Sequence, residues 1–159
     1  MLSTYHYPKY AYVRPPEQSG AEKKRYPVVV VGAGPVGLAA AIELAQSGVP
    51  VLLLDDDDTV SVGSRGVCYA KRTLEVLDRL GLGAPCMDKG VSWNVGRTFF
   101  REQEVYNFNL LPQADHKRPG MINLQQYYLE AFEVTRAKEL PNLDLRFKNK
   151  VVSVTPQGD

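Results

Sequence analysis

The sequence has little cysteine, no long apolar run and no excess of one charge sign. Its two cysteines, Cys68 and Cys86, form neither a Cys-x-x-Cys pair nor a metal-ligand set, so we expect buried or idle thiols and no bound metal. The 19 Lys and Arg residues are balanced by 18 Asp and Glu residues, which gives no electrostatic case for nucleic acid as a partner. The longest strongly apolar stretches, 28–31 and 51–54, are far shorter than the roughly 20 residues that cross a bilayer. We therefore expect no membrane partner.

The first 26 residues differ from the rest of the 159-residue chain. Pro8, Pro15 and Pro16, scattered tyrosines and the charged run 22–25 predict an extended, flexible N-terminal arm over residues 1–26. A docking arm that wraps another subunit through its tyrosines is the alternative. Since this segment lacks the 7–15-residue apolar core of a secretion signal, we expect a cytoplasmic protein.

A regular pattern begins at residue 28. The β-branched run 28–31 predicts a strand buried on both faces, which is typical of a central parallel strand. Apolar residues at helical spacing then predict a helix that ends near Gly48, and the run 51–54 predicts a second buried strand. Together these elements form a β-α-β unit with parallel strands.

The rest of the chain predicts mixed elements in an α/β fold. Two runs, 93–100 and 106–110, alternate in the way that is typical of an antiparallel strand pair. The other predicted elements are helices at 73–80 and 124–135 and strands at 143–147 and 151–154.

A glycine-rich turn joins the first strand to the first helix. The sequence Gly32-Ala33-Gly34-Pro35-Val36-Gly37 is a GxGxxG motif in the context that binds the pyrophosphate of a dinucleotide. Gly32 permits the tight turn, Gly34 admits the phosphate, and Gly37 lets the helix lie against the strand. Pro35 and Val36 begin the helix, whose free N–H groups and positive end would face the pyrophosphate.

An acidic residue stands at the end of the second strand. Asp55 lies 18 residues beyond Gly37, where a carboxylate can accept hydrogen bonds from the adenosine ribose and repel a 2′-phosphate. The three acids that follow, 56–58, are expected to be solvated, with a hard-cation site as the alternative.

The segment from Gly32 to Asp55 resembles the FAD-binding N-terminus of the glutathione-reductase-type flavoproteins. The next segments are similar to one group of these proteins, the group A, or para-hydroxybenzoate-hydroxylase-like, flavoprotein monooxygenases. These segments are Ser64-Arg65-Gly66-Val67, 72–77 and 80–82. The stretch 67–152 is most similar to the 3-(3-hydroxyphenyl)propionate hydroxylases within that group.

The resemblance implies further site residues. Arg65 matches an arginine that contacts FAD, and its guanidinium offers paired donors to phosphate or ribityl oxygens. Gln126, in the sequence Gln126-Tyr127-Tyr128-Leu129-Glu130, matches a glutamine that contacts the flavin, with Gln125 as the alternative. The alternatives are that Arg65 is an ordinary residue of a surface loop and that Gln126 is an ordinary polar residue at the start of a helix. No catalytic base is identified.

The resemblance also implies an activity for the whole enzyme. FAD is reduced by NADH or NADPH and, with O2, one oxygen atom is transferred to a phenolic ring. Later segments of the family pattern are absent, so residues 27–159 are expected to form the N-terminal part of an FAD-binding domain with an incomplete parallel sheet. Such a chain would expose a strand edge and could associate with itself.

Two other functions are compatible with the dinucleotide motif. The first is a truncated, non-catalytic remnant that binds a dinucleotide without turnover. The second is an NAD-dependent oxidoreductase, which the predicted antiparallel pair disfavours because such an enzyme would continue with β-α units.

Overall fold

A computed structural model describes residues 5–158 of the chain. After a short 3-10 helix at Pro16–Ser19, the elements in chain order are β1 (Val28–Val31), α1 (Pro35–Gln46), β2 (Val51–Leu54), β3 (Cys68–Ala70), α2 (Lys71–Arg79), α3 (Gly83–Lys89), β4 (Val91–Trp93), β5 (Val95–Phe100), β6 (Gln103–Asn109), β7 (Met121–Asn123), α4 (Gln126–Lys138) and β8 (Leu143–Arg146).

The strands form one parallel and two antiparallel sheets. The parallel sheet has the order β1-β2-β8, with Val28 opposite Val51 and Val51 opposite Leu143. Strands β3, β7 and β4 form an antiparallel sheet, and β5 pairs with β6 in an antiparallel hairpin. The predicted α/β class, the parallel β-α-β unit and the antiparallel pair are therefore confirmed.

The core lies between the parallel sheet and the helices. Helix α1 packs against β2 and against α4, and its apolar residues at helical spacing are buried as predicted: Leu38, Ala41, Ile42 and Ala45. Such a stripe forms because residues three and four apart share one helix face. Helix α4 comes near the end of the long segment between β2 and β8, and its contact with α1 places it against the parallel sheet just before β8.

Two strand predictions are wrong. Strand β1 is an edge strand rather than a central one, and Val29 and Val31 are 51% and 62% exposed. Within residues 5–158, no element pairs with the outer edge of β1. Val29 and Val31 project from the face of the sheet opposite Val30, which packs against the core. Residues 151–154 form no strand, because no neighbouring strand offers them hydrogen bonds in the part of the chain that is described.

The described part of the arm lies along the body of the protein. The ring of Tyr10 stacks on that of Phe147 at a centroid distance of 4.1 Å, and the Tyr26 hydroxyl donates to Asp144 at 2.5 Å. Residues 1–4 lie outside the described part. The domain boundary at residue 26 and the flexibility of the arm remain predictions.

Across residues 5–158, none of the helices combines the length and the apolar character that a membrane crossing requires.

Candidate cofactor-binding site

Two glycines of the turn between β1 and α1 are required by the chain's own geometry. Gly32 has a φ of +102°, a conformation that residues with a side chain rarely adopt. A Cβ atom on Gly37 would lie 1.9 Å from the carbonyl oxygen of Gly32. The first turn of α1 can therefore approach the end of β1 only with glycine at both positions.

Gly34 is different, because the fold itself does not require a glycine there. Its φ of −78° and ψ of −179° suit any residue, and a Cβ atom would meet nothing within 4 Å. The missing side chain leaves open space at the start of α1. This space is what a pyrophosphate needs if it is to approach the backbone closely.

Free N–H donors face this part of the helix. Pro35 is the first residue of α1 and has no N–H, and the first helical bond runs from the Leu38 N–H to the Gly34 carbonyl at 2.9 Å. The N–H groups of Val36 and Gly37 lie in the first turn, where a helix offers them no acceptor. They and the positive end of the helix dipole can bind an anion.

The Asp55 carboxylate is tied to the same turn. Its Oδ2 accepts a hydrogen bond from the Ala33 N–H at 2.5 Å, and its Oδ1 accepts one from the Asp57 N–H at 2.8 Å. Each carboxylate oxygen has a second lone pair. Asp55 can therefore accept ribose hydroxyls while these two bonds fix its orientation.

A cleft of about 120 Å³ opens beside Asp55 at the carboxyl edge of the parallel sheet. Residues 149–151, which follow β8, form one of its walls, and the Asn149 N–H donates to the Asp55 carbonyl at 2.7 Å. Sequence reasoning missed this wall. The available signal was that the carboxyl ends of parallel strands meet at one edge, where such sheets bind ligands.

The donor set fits the ADP half of FAD. Open space at Gly34 and two free N–H groups suit a pyrophosphate, and a fixed carboxylate beside a cleft suits an adenosine ribose. A larger cavity of about 540 Å³ lies between the arm and β8 and contains none of the predicted site residues.

Arg65 and Gln126 belong to a second cluster. The Gly66 N–H donates to Oε1 of Gln126 at 3.1 Å, so the loop that carries Arg65 touches the start of α4. Arg65 is exposed, and within residues 5–158 its guanidinium makes no hydrogen bond or ion pair. Gln125 is the exposed N-cap residue of α4. No hydrogen bond within the described residues joins this cluster to the glycine turn.

Two buried acids lie on α4, and one of them, Glu130, is hydrogen-bonded to Gln126 in the second cluster. Glu130 and Glu133 are each 1% exposed, and Oε2 of Glu133 has no hydrogen-bond partner among the described residues. Burial first, and the nearby charge of Glu130 second, raise the pKa of Glu133 from 4.5 to about 9. Sequence reasoning missed both acids, although their spacing from Leu129 and Ala137 places them on the buried face of the helix.

The family described as "FAD binding domain" matches residues 25–159. A para-nitrophenol 4-monooxygenase from a Pseudomonas species is 32% identical over 134 residues, which are 80% of this chain and 32% of that protein. A flavin-dependent monooxygenase from Mycobacteroides abscessus is 44% identical over 140 residues, which are 83% of this chain and 29% of that protein. A 3-(3-hydroxy-phenyl)propionate/3-hydroxycinnamic acid hydroxylase from Mycolicibacterium gilvum is 27% identical over 132 residues, 83% of this chain and 23% of that protein.

Solved structures agree with these matches. The crystal structure of p-nitrophenol 4-monooxygenase from Pseudomonas putida superimposes with a TM-score of 0.77 at 31% identity, covering 83% of this chain and 34% of that one. A flavin-dependent monooxygenase in complex with FAD and substrate superimposes with a TM-score of 0.68 at 28% identity, covering 80% and 24%. The chain thus spans about a third or less of the length of these relatives.

Proposed function

The chain belongs to the FAD binding domain family of group A flavin monooxygenases, and we propose that it binds the ADP half of FAD for the hydroxylation of an aromatic compound. The observation that carries this proposal is Gly34, where the backbone would accept any residue and the space for a side chain is empty. A glycine that the fold does not need is explained by a ligand that needs the space.

The glycine turn and Asp55 have separate roles in this proposal. The N–H groups of Val36 and Gly37 donate to pyrophosphate oxygens, which approach over Gly34. Asp55 accepts the ribose hydroxyls, held by the Ala33 N–H at 2.5 Å. The wall at 149–151 borders the adenosine end in the cleft beside Asp55.

Arg65 and Gln126 are assigned to the remainder of the cofactor. The guanidinium of Arg65, which is unpaired within residues 5–158, would donate to phosphate or ribityl oxygens, because its planar fork offers paired N–H donors. The Gln126 side chain is largely occupied, since its Nε2 donates to Glu130 and Ser61 at 2.7 and 3.3 Å. One lone pair on its Oε1 remains for the flavin.

When it is bound, FAD supplies redox and oxygen chemistry that no side chain offers. The residues of this chain bind and orient the cofactor. For the whole protein we propose a phenolic substrate, because two relatives described above are named as a monooxygenase and a hydroxylase of such compounds. The family resemblance adds NADH or NADPH as the proposed reductant.

A titration of the 159-residue chain with FAD tests the proposal, with NAD as the competitor. We expect quenching of flavin fluorescence with a dissociation constant in the micromolar range and no displacement by an equal concentration of NAD. Tight NAD binding with no FAD binding would instead favour a nicotinamide enzyme. That alternative also conflicts with the antiparallel sheets that follow β2.

A further inference from the structure

The loop that carries Arg65 is hydrogen-bonded to α4. This segment, residues 61–66, contains no helix or strand and is called the Arg65 loop here. Loops without regular structure leave backbone groups to be satisfied by side chains. In the Arg65 loop, the N–H groups of Ser61 and Gly66 donate to two side chains on α4, Glu130 and Gln126, while the Gly63 N–H donates to the Tyr7 hydroxyl at 3.0 Å.

Glu130 binds the start of the Arg65 loop. Its Oε2 accepts the Ser61 N–H at 2.5 Å, and its Oε1 accepts the Ser61 hydroxyl at 2.7 Å. The carboxylate is 1% exposed, so these bonds form away from water, where each is stronger. Two bonds to one residue fix both the position and the direction of the chain at Ser61.

Gln126 connects Glu130 to the other end of the Arg65 loop through hydrogen bonds. Its Nε2 donates to Oε1 of Glu130 at 2.7 Å, while its Oε1 accepts the Gly66 N–H at 3.1 Å. Its backbone N–H donates to the hydroxyl of Ser64 at 3.1 Å. Glu130 therefore fixes the amide of Gln126, and Gln126 fixes the residues on both sides of Arg65.

The contrast with Arg65 itself is the reason for a functional interpretation. Its neighbours Ser64 and Gly66 are bonded to α4, whereas the guanidinium is exposed and unpaired within residues 5–158. A fixed backbone with a free cationic side chain presents donors to an anionic ligand without the entropic cost of ordering the loop.

We propose that Glu130 is a positioning residue that acts through Gln126 and the Arg65 loop to hold the Arg65 guanidinium where it contacts the phosphates or the ribityl chain of FAD. This inference rests on the proposed function. It assigns a cofactor-binding role to a side chain that does not touch the cofactor.

Hydrogen exchange of the backbone amides tests the loop-holding step without any cofactor. In the Glu130→Gln variant, one acceptor oxygen is replaced by a donor, so we expect the Ser61 and Gly66 amides to exchange about tenfold faster. Glu133→Gln is the matched control, because it changes the next buried acid on α4. At pH 5, where Glu133 is protonated and the substitution removes no charge, it should leave both amides unchanged. Equal exchange at Ser61 and Gly66 in wild type and Glu130→Gln would overturn the proposal.

A double-mutant cycle with FAD tests the step through Arg65. Glu130→Gln should weaken FAD binding about tenfold in the wild-type background but by a clearly smaller factor in an Arg65→Ala background, because the loop then has no guanidinium to present and only the Gln126 contact is disturbed. The same factor in both backgrounds would overturn the proposal. Ser61→Ala, which keeps Glu130 intact, should give the same pattern with a smaller loss and replaces Glu130→Gln if that variant does not fold.

The two measurements separate the proposal from the proposed function. If the wild-type chain does not bind FAD, the proposed function and the Arg65 step fail together, while amide exchange still decides whether Glu130 holds the loop. If FAD binds and the cycle is additive, only the positioning role fails.

Discussion

Gly37 lies so close to Gly32 that a Cβ atom on Gly37 would be 1.9 Å from the Gly32 carbonyl oxygen. This contact joins the first turn of α1 to the end of β1, and it determines how the helix N-terminus approaches the sheet. The space over Gly34 and the orientation of the free N–H groups both depend on it.

Gly37→Ala should therefore damage the fold itself. The methyl group cannot avoid a backbone oxygen, so helix and strand must separate, at a cost of about 3 kcal/mol or more in the free energy of unfolding. Urea denaturation followed by circular dichroism measures this loss. A stability equal to that of wild type would contradict the close approach of Gly37 to Gly32.

Glu133 makes stability depend on pH in an unusual direction. Its pKa is raised in the folded protein from 4.5 to about 9, chiefly by burial, so the folded state binds a proton more tightly than the unfolded state. This acid therefore lowers the free energy of unfolding as the pH rises from 4.5 towards 9, by roughly 1.4 kcal/mol per pH unit at most. Below pH 4.5 the effect disappears.

The variant Glu133→Gln isolates this effect, because glutamine has the same shape and no charge. We expect the variant to gain stability relative to wild type as the pH is raised from 5 to 8, measured by urea denaturation at each pH. Parallel pH profiles for the two proteins would show that Glu133 does not bind a proton on folding.

Asp55 should select against a phosphate on the adenosine ribose. ADP-ribose should displace FAD at least about tenfold better than 2′-phospho-ADP-ribose, which has the same pyrophosphate, because the carboxylate repels a 2′-phosphate. Asp55→Asn should reduce that ratio and weaken FAD binding. Asp57→Asn, which removes an exposed charge two residues away, is the control and should keep the wild-type ratio. An unchanged ratio in Asp55→Asn would exclude the ribose contact.

The outer edge of β1 should promote self-association. Val29 and Val31 are more than half exposed, and no strand pairs with that edge within the described residues. Sedimentation velocity should show association that increases with concentration, and Val29→Lys should reduce it by placing a charge on the exposed face. A monomer at every concentration would refute this expectation.

The local part of the site could be predicted from the sequence. The turn from Gly32 to Gly37 and the position of Asp55 depend on a short β-α-β unit, whose geometry follows from residue spacing. The buried apolar face of α1 could also be predicted, because burial repeats with the period of the helix.

The rest depends on contacts between distant segments. The run 28–31 has the composition of a central strand, but its position at an edge depends on which strands are available to pair with it. Helical spacing places Glu130 on the buried face of α4, but its partner Ser61 lies about 70 residues earlier in the chain. The spacing of residues in a helix shows which face is buried, but not which distant residue lies against that face.

The measurement that most directly tests the account is FAD binding by wild type and Gly34→Ala, with the thermal unfolding of both chains recorded alongside. Because nothing lies within 4 Å of the added methyl group, we predict melting temperatures within about 2 °C and FAD binding weakened at least tenfold in Gly34→Ala. Equal FAD affinity in two equally stable chains, or no FAD binding by the wild-type chain, would contradict the claim that the glycine turn binds the pyrophosphate.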